Sequence, residues 1–156
     1  MGFFTIVLSL ALAGVSGYCL SQSAQSIPKL HRYEARAEKA AEWSTAAANR
    51  LLSTRRTVAV GFAVTAISLL SSLYYILFGG AGGFFFAVRA TLWPAFLAGA
   101  ELLASAYMKS FWADKKTVPL MDDYNDAISH SANVINLCDA LAVGWGGLAV
   151  LKLLGN

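Results

Sequence analysis

The stretch from Val58 to Phe78 reads VAVGFAVTAISLLSSLYYILF and contains no charged side chain. A helix of about 20 apolar residues is needed to cross a hydrocarbon layer of about 30 Å, and this stretch meets that requirement. Three more predominantly apolar stretches of similar length lie at 3–20, 84–108 and 128–154. We therefore predict an all-α fold, an integral membrane four-helix bundle that forms a single membrane domain over residues 1–156.

The composition agrees with this class of protein. Hydrophobic residues make up 57% of the chain, charged residues 13%, and the mean hydropathy is +0.56. A soluble domain carries about twice that share of charge. The net charge of +3 favours contact with anionic membrane lipids over nucleic acid, because no basic run is interleaved with exposed aromatic residues. Cys19 and Cys138 have no Cys or His partner at ligand spacing, so we expect neither a metal site nor a disulfide framework.

The positive charges predict how the chain crosses the membrane. Seven of the twelve Lys and Arg residues lie in the connection 26–56, and three lie between the third and fourth spans. Since basic residues concentrate on the cytoplasmic side, both connections should be cytoplasmic and both termini lumenal or exterior. We expect the membrane to be that of the endoplasmic reticulum. Residues Met1–Cys19 could instead be a secretory signal, but they lack the basic segment that precedes its apolar core.

The first connection is expected to be helical. Pro28 suits the first turn of a helix, and the segment Leu30–Leu52 is rich in Ala, Glu, Lys and Arg, which favour helices. We predict a cytoplasmic Ala-rich helix between spans 1 and 2, which Tyr33 and Trp43 anchor at the membrane interface.

Small residues recur every four positions in the first span, at Ser9, Ala13, Gly17 and Ser21. Such a strip lets two helix backbones approach closely in lipid. We expect it to pack inside one bundle, and the alternative is a contact face of a homo-oligomer.

Two carboxylates, Glu101 and Asp139, remain inside the predicted spans, where ionisable groups are costly. Measured from the cytoplasmic ends of their helices at ~1.5 Å per residue, they lie ~10 Å and ~12 Å deep. If they face each other, one should hold a proton or the two should share a cation. Both are candidate catalytic residues. The alternative for Glu101 is an ion pair with Lys109, whereas Asp139 has no basic residue nearby on its own helix.

A polar stripe accompanies Asp139. Asn133, Asn136 and Asp139 are spaced by three and share an arc of about 120° on the fourth helix. Such a stripe is expected to face the bundle interior or a cavity. There the amides bind a substrate or, alternatively, hold helices together by hydrogen bonds. His130 and Trp93 are further substrate-binding candidates. Alternatively, His130 lies at the membrane interface without a role in binding, and Trp93 marks a local feature of the third helix.

Three segments resemble a known family. The exit of the first span reads GVSGYCLSQSAQSIP over 14–28, LMDDYN stands at 120–125, and SANVINLCD opens the fourth span at 131–139. Together with Trp43, they resemble the small four-span anthrone oxygenases, membrane proteins of fungal polyketide biosynthesis. The family has a Met-Pro-Thr-Asn type segment and a Trp-x-x-Leu-Asn-x-x-Arg type segment at the last two places. Asn136 could match the family's asparagine, while Asp139 falls near the position of its arginine.

The resemblance implies an oxidoreductase of secondary metabolism, a monooxygenase that turns an anthrone into an anthraquinone without a cofactor. A general base, Asp139 or Glu101, would remove a proton from the acidic methylene, and the anion itself would react with dioxygen. Asn133 and Asn136 would stabilise the phenolate oxygens. The lipophilic aromatic substrate would arrive from the membrane.

Three other functions stay open. An isomerase or cyclase acting on a lipophilic substrate would use the same acid–base residues. A non-catalytic accessory or assembly subunit of a larger membrane complex would pair Glu101 and Asp139 with cations of a partner chain. A proton-coupled transporter or channel would have to be an oligomer, since each chain offers only these two intramembrane acids.

Overall fold

The computed structural model describes residues 3–41, 45–78, 84–113 and 122–155. Within these ranges the chain is helical and contains no strand. The helices are α1 (Phe3–Ala41), α2 (Thr45–Phe78), α3 (Phe84–Trp112) and α4 (Asp122–Leu153). The predicted all-α four-helix bundle is confirmed.

Three segments are long and apolar enough to cross a membrane: Phe3–Gln25, Leu52–Phe78 and Ile128–Leu153. They match the first, second and fourth predicted spans, and the third predicted span forms α3, which packs against α4. Large apolar side chains cover the outside of the bundle. Leu77, Leu103 and Val143, for example, are each more than 70% exposed. An apolar exterior of this extent fits contact with lipid.

The Ala-rich connection is helical, as predicted, but it is divided between two long helices. α1 continues through Pro28 to Ala41, and α2 begins at Thr45. The expectation that Pro28 starts a new helix is therefore wrong. A proline removes one backbone hydrogen bond, and here the good helix formers that follow it carry α1 onward. Trp43 lies outside the described residues.

The helices form a square in which α1 lies between α2 and α4, and α3 closes the fourth side. α1 and α4 are antiparallel, since the Gln22 side chain meets His130 and Leu12 packs beside Gly144. We call the end of the bundle nearest to Arg55 and Arg56, which are exposed on α2, the basic end.

Buried positions alternate by three and four residues along the helices. On α4 they include Ser131, Val134, Cys138, Leu141, Trp145 and Leu148. On α3 they include Pro94, Leu97, Glu101, Ala104 and Met108. On α1 they are Thr5, Ser9, Leu12, Ser16, Cys19 and Ser23. This spacing is that of helices that pack side by side at a small crossing angle, as in left-handed coiled coils.

Two apolar clusters fill the bundle at different heights. The cluster at the basic end consists of Cys19, Met108, Val134, Ile135 and Cys138. The cluster towards the opposite end consists of Leu12, Tyr75, Leu97, Leu141, Trp145 and Leu148. Polar side chains of the bundle interior therefore have to lie between or beside these clusters.

The predicted strip of small residues on α1 is not the packing face. Ser9 is buried, but Ser21 is exposed, and no atom lies within 4 Å of a Cβ placed on Gly17. The physical reason is helix periodicity. Residues spaced by four move around the helix axis by about 40° at each step, whereas residues spaced alternately by three and four stay on one face of the helix. Among the described glycines the shortest contact is on α4, where a Cβ on Gly144 would lie 2.7 Å from Leu12 Cδ2.

Candidate functional site

The carboxyl group of Glu101 lies in the interior of the bundle. The residue is 0% exposed, and neither carboxyl oxygen has a hydrogen-bond partner among the described residues. An unpaired carboxylate is costly in such apolar surroundings. A carboxyl that is nevertheless kept there marks the best candidate for a functional site.

Polar side chains of the other three helices lie close to this carboxyl: Cys19 of α1, Ser68 of α2 and Cys138 of α4. Both cysteines are free and fully buried. We call Glu101, Cys19, Cys138, Ser68 and the adjoining Thr65 the central cluster. It combines one acid, two thiols and two hydroxyls, and it shares both thiols with the apolar cluster at the basic end.

Hydrogen bonds determine whether two hydroxyls of the central cluster, those of Thr65 and Ser68, act as donor or acceptor. Thr65 Oγ1 donates to the Gly61 carbonyl oxygen at 2.8 Å and lies 3.6 Å from Cys19 Sγ. Because the Thr65 hydrogen is already used, the Cys19 thiol is the donor in that contact. The Trp145 indole Nε1 donates to Ser68 Oγ at 2.5 Å. The Ser68 oxygen thus acts as an acceptor in this bond, which leaves its hydroxyl hydrogen unused there.

Asp139 does not face Glu101. Its Oδ1 accepts a hydrogen bond of 2.5 Å from Ser105 Oγ, and its Oδ2 lies 2.6 Å from Lys109 Nζ. The expected alternative, in which Lys109 reaches back to Glu101, is wrong, because Lys109 crosses to α4 instead. The pair lies on the outside of the bundle, where the Lys109 and Asp139 side chains are 53% and 37% exposed.

The polar stripe of α4 faces outward. Asn133 and Asn136 are exposed, as is Ala140 further along the same face. The expectation that this stripe lines the bundle interior is therefore wrong. The reason is that the opposite face of α4 carries larger apolar side chains, such as Leu141 and Trp145, whose burial decides the orientation of the helix.

The two remaining candidates lie apart from the central cluster. His130 Nδ1 is 3.0 Å from Gln22 Oε1, between α4 and α1, near the basic end. The Trp93 indole Nε1 donates to Ser71 Oγ at 3.1 Å, and its ring is stacked on Phe96 with 5.6 Å between centroids. Trp93 is 40% exposed, so it stands at the seam between α2 and α3 with one face outward.

Sequence reasoning did not single out the two cysteines or the buried hydroxyls of α1 as parts of a site. Thr5, Ser9, Ser16 and Ser23 are all buried, and their hydroxyl oxygens have no hydrogen-bond partner among the described residues. Their alternating spacing together with Leu12 and Cys19 is the signal that would have found them. No group of three or more His, Cys, Asp or Glu side chains within the described ranges is arranged to hold a metal ion.

Comparison with protein-family models, curated proteins and solved structures gives no match. The resemblance to anthrone oxygenases therefore depends on the quoted segments alone, and the function has to be argued from the site.

Proposed function

We propose that this chain is a small membrane-embedded enzyme that removes a proton from a lipophilic, aromatic substrate, with Glu101 as the general base. The observation that supports the proposal is the fully buried Glu101 carboxyl, whose two oxygens are not engaged by the described residues. A general base needs an available lone pair and surroundings that exclude bulk water, and this carboxyl has both.

Asp139, the other candidate base, is less suited to this role. Both of its oxygens are already engaged, one by the Ser105 hydroxyl and one by the Lys109 ammonium group. A carboxylate held by a cation and a hydroxyl is a weak proton acceptor. We assign Asp139 to the structural connection of α3 with α4.

The substrate has to reach Glu101 from the lipid. The cavity at the basic end, lined by described residues, has a volume of about 20 Å³, which suits one water molecule and not an aromatic ring system. In the described part of the bundle, α2 and α3 make the smallest interface of any neighbouring pair. A flat substrate would pass between these helices, where Trp93 and Phe96 offer an aromatic stacking surface beside the seam.

The conversion of an anthrone into an anthraquinone is the specific reaction that the resemblance implies, and it suits a site with one base. Glu101 would take a proton from the ring methylene, which leaves a delocalised carbanion. Dioxygen is the oxidant: one of its atoms becomes the new carbonyl oxygen and the other leaves as water. An isomerisation or cyclisation that begins with the same proton removal is the alternative within this class.

The test is oxygen consumption by the purified chain in lipid nanodiscs supplied with an anthrone. Glu101→Gln should reduce the rate by about 10²–10⁴-fold, the usual contribution of a general base. Asp139→Asn is the matched comparison and should keep the rate within a few-fold. Full activity of Glu101→Gln would reject Glu101 as the base, and an inactive wild-type chain would reject the anthrone as substrate.

A second candidate, the non-catalytic accessory subunit, is supported by Asn133 and Asn136, whose amides are exposed on the outside of α4. The two acids no longer support it, since Asp139 is paired within the chain and Glu101 is buried. Native mass spectrometry after gentle extraction separates the two candidates. A stoichiometric complex with unrelated subunits favours the accessory subunit, and a chain carrying a small aromatic ligand favours the enzyme.

A further inference from the structure

Four hydroxyl side chains of α1 lie on one buried line, which we call the hydroxyl line: Thr5, Ser9, Ser16 and Ser23. Their exposed fractions are between 0% and 4%, and none of their hydroxyl oxygens has a hydrogen-bond partner among the described residues. From Thr5 to Ser23 the line is about 27 Å long at ~1.5 Å per residue. It therefore covers most of the ~30 Å thickness of a bilayer core.

The hydroxyl line differs from three hydroxyls of α2 in its hydrogen bonding. The hydroxyls of Thr57, Thr65 and Ser72 each donate, at 2.8 Å, to a carbonyl oxygen three or four residues earlier on their own helix. That is the ordinary way in which an apolar helix satisfies a hydroxyl group. The hydroxyl line does not use it, and buried polar atoms of this kind bind ordered water or ions.

A cavity of about 20 Å³ lies at the basic end of the hydroxyl line. Ser23, Thr57 and Ser131 are among the residues that line it, together with the apolar Met108 and Trp112. A buried water needs about 10–15 Å³ and two to four polar partners. The cavity is large enough for one water molecule where the line reaches the basic end, and three of its lining residues carry hydroxyl groups.

Glu101 stands beside the hydroxyl line, at the level between Ser16 and Ser23. Cys19, which lies close to its carboxyl, occupies the buried position of α1 between Ser16 and Ser23. Cys19 Sγ is also 3.6 Å from Thr65 Oγ1. The carboxyl therefore has hydroxyls on both sides along the bundle, towards the basic end and towards the opposite end.

We propose that the hydroxyl line, with water molecules between its members and Glu101 between the levels of Ser16 and Ser23, carries protons across the membrane. The activity needs no organic substrate and goes beyond the proposed enzymatic function. In each transfer one O–H bond breaks and another forms, so no oxidant or reductant is required. The Glu101 carboxyl accepts a proton from a water on one side and releases its proton to a water on the other.

Hydroxyls can also serve as small side chains that let helices pack closely. This structural role makes a different prediction. Serine and alanine are nearly equal in size, so replacing Ser9 and Ser16 with alanine preserves packing but removes the hydrogen-bonding groups. Proton transfer distinguishes the two roles, because only a pathway loses its function on this substitution.

The experiment uses the full chain in liposomes with a pH-sensitive dye inside and a potassium gradient that valinomycin converts into a membrane potential. We expect the chain to speed the internal pH change above that of protein-free liposomes. Glu101→Gln should reduce the chain-dependent rate at least tenfold, and Ser9→Ala/Ser16→Ala should reduce it several-fold. Ser110→Ala is the control and should leave the rate unchanged, since Ser110 is exposed on α3 and its hydroxyl donates to the Tyr107 carbonyl.

Three results would overturn the pathway: no rate above that of empty liposomes, a full rate in the double alanine variant, or a current carried by sodium at constant pH. If Glu101→Gln does not fold, Ser9→Ala/Ser16→Ala still decides the question. Infrared spectroscopy adds a second readout, since a carboxyl connected to water along the line exchanges its proton for deuterium quickly, and a sealed one does not. Because no anthrone is present, failure of the enzymatic proposal leaves these results unaffected.

Discussion

Lys109 of α3 and Asp139 of α4 form an ion pair with 2.6 Å between Nζ and Oδ2. Ser105, one helical turn before Lys109, donates to the other carboxylate oxygen at 2.5 Å. Two neighbouring helices are thus joined by three polar side chains on the outside of an apolar bundle. The charges compensate each other within the chain, which lowers the cost of placing them in a predicted span.

Removing one member of this pair should destabilise the bundle. Lys109→Met leaves Asp139 without its cation, and we expect a loss of about 1–3 kcal/mol, between the values for exposed and buried pairs. Unfolding in mixed detergent micelles measures it. The double variant Lys109→Met/Asp139→Asn removes both charges and should recover more than half of the loss. A double variant as unstable as the single one would contradict the pairing.

The contact of Gly144 with Leu12 predicts a steric effect. A Cβ on Gly144 would lie 2.7 Å from Leu12 Cδ2, and Leu12 is only 3% exposed. Gly144→Ala should therefore cost about 1–3 kcal/mol by overpacking.

Gly146→Ala on the same helix is the matched control, because no atom lies within 4 Å of its added Cβ. It should be neutral or stabilising by up to ~1 kcal/mol through helix propensity. The same unfolding assay compares the two variants. Equal effects would show that backbone propensity, and not the contact with Leu12, decides the result.

The sequence predicts the number of helices well because apolar length is a strong signal. It predicts the environment of single polar residues less well. The sequence places Glu101 and Asp139 at similar depth, but one is buried without a partner among the described residues and the other is paired with Lys109. Depth follows from position along one helix, whereas pairing depends on how two helices are rotated against each other.

The orientation of α4 shows the same limit. The spacing of Asn133, Asn136 and Asp139 correctly places them together, but periodicity alone does not tell which face points inward. The size of the side chains on the other face decides it, since burying Trp145 and Leu148 contributes more than burying two amides. A comparison of both faces would have predicted the outward orientation of Asn133 and Asn136.

The Trp145 indole connects an apolar cluster to the central cluster. Trp145 is 0% exposed, and its Nε1 donates to Ser68 Oγ. Trp145→Phe removes this donor and part of the ring volume, so we expect a loss of about 1–3 kcal/mol. Trp93→Phe is the control: it removes a similar bond to Ser71, but at a residue that is 40% exposed, and should cost less than half as much. Thermal unfolding in detergent measures both, and the reverse order would contradict the burial of Trp145.

The two thiols test whether the central cluster is closed to large reagents. Cys19 and Cys138 are free and 0% exposed, and the cavity at the basic end admits about one water molecule. A water-soluble maleimide should therefore leave the folded chain unlabelled and attach two labels per chain after unfolding. Ser110→Cys in a background of Cys19→Ala/Cys138→Ala is the control for an exposed position and should react while the chain is folded. Rapid labelling of the native thiols would show that the helices separate around Glu101, which would favour lateral access of a large substrate and weaken the case for a sealed line of single water molecules.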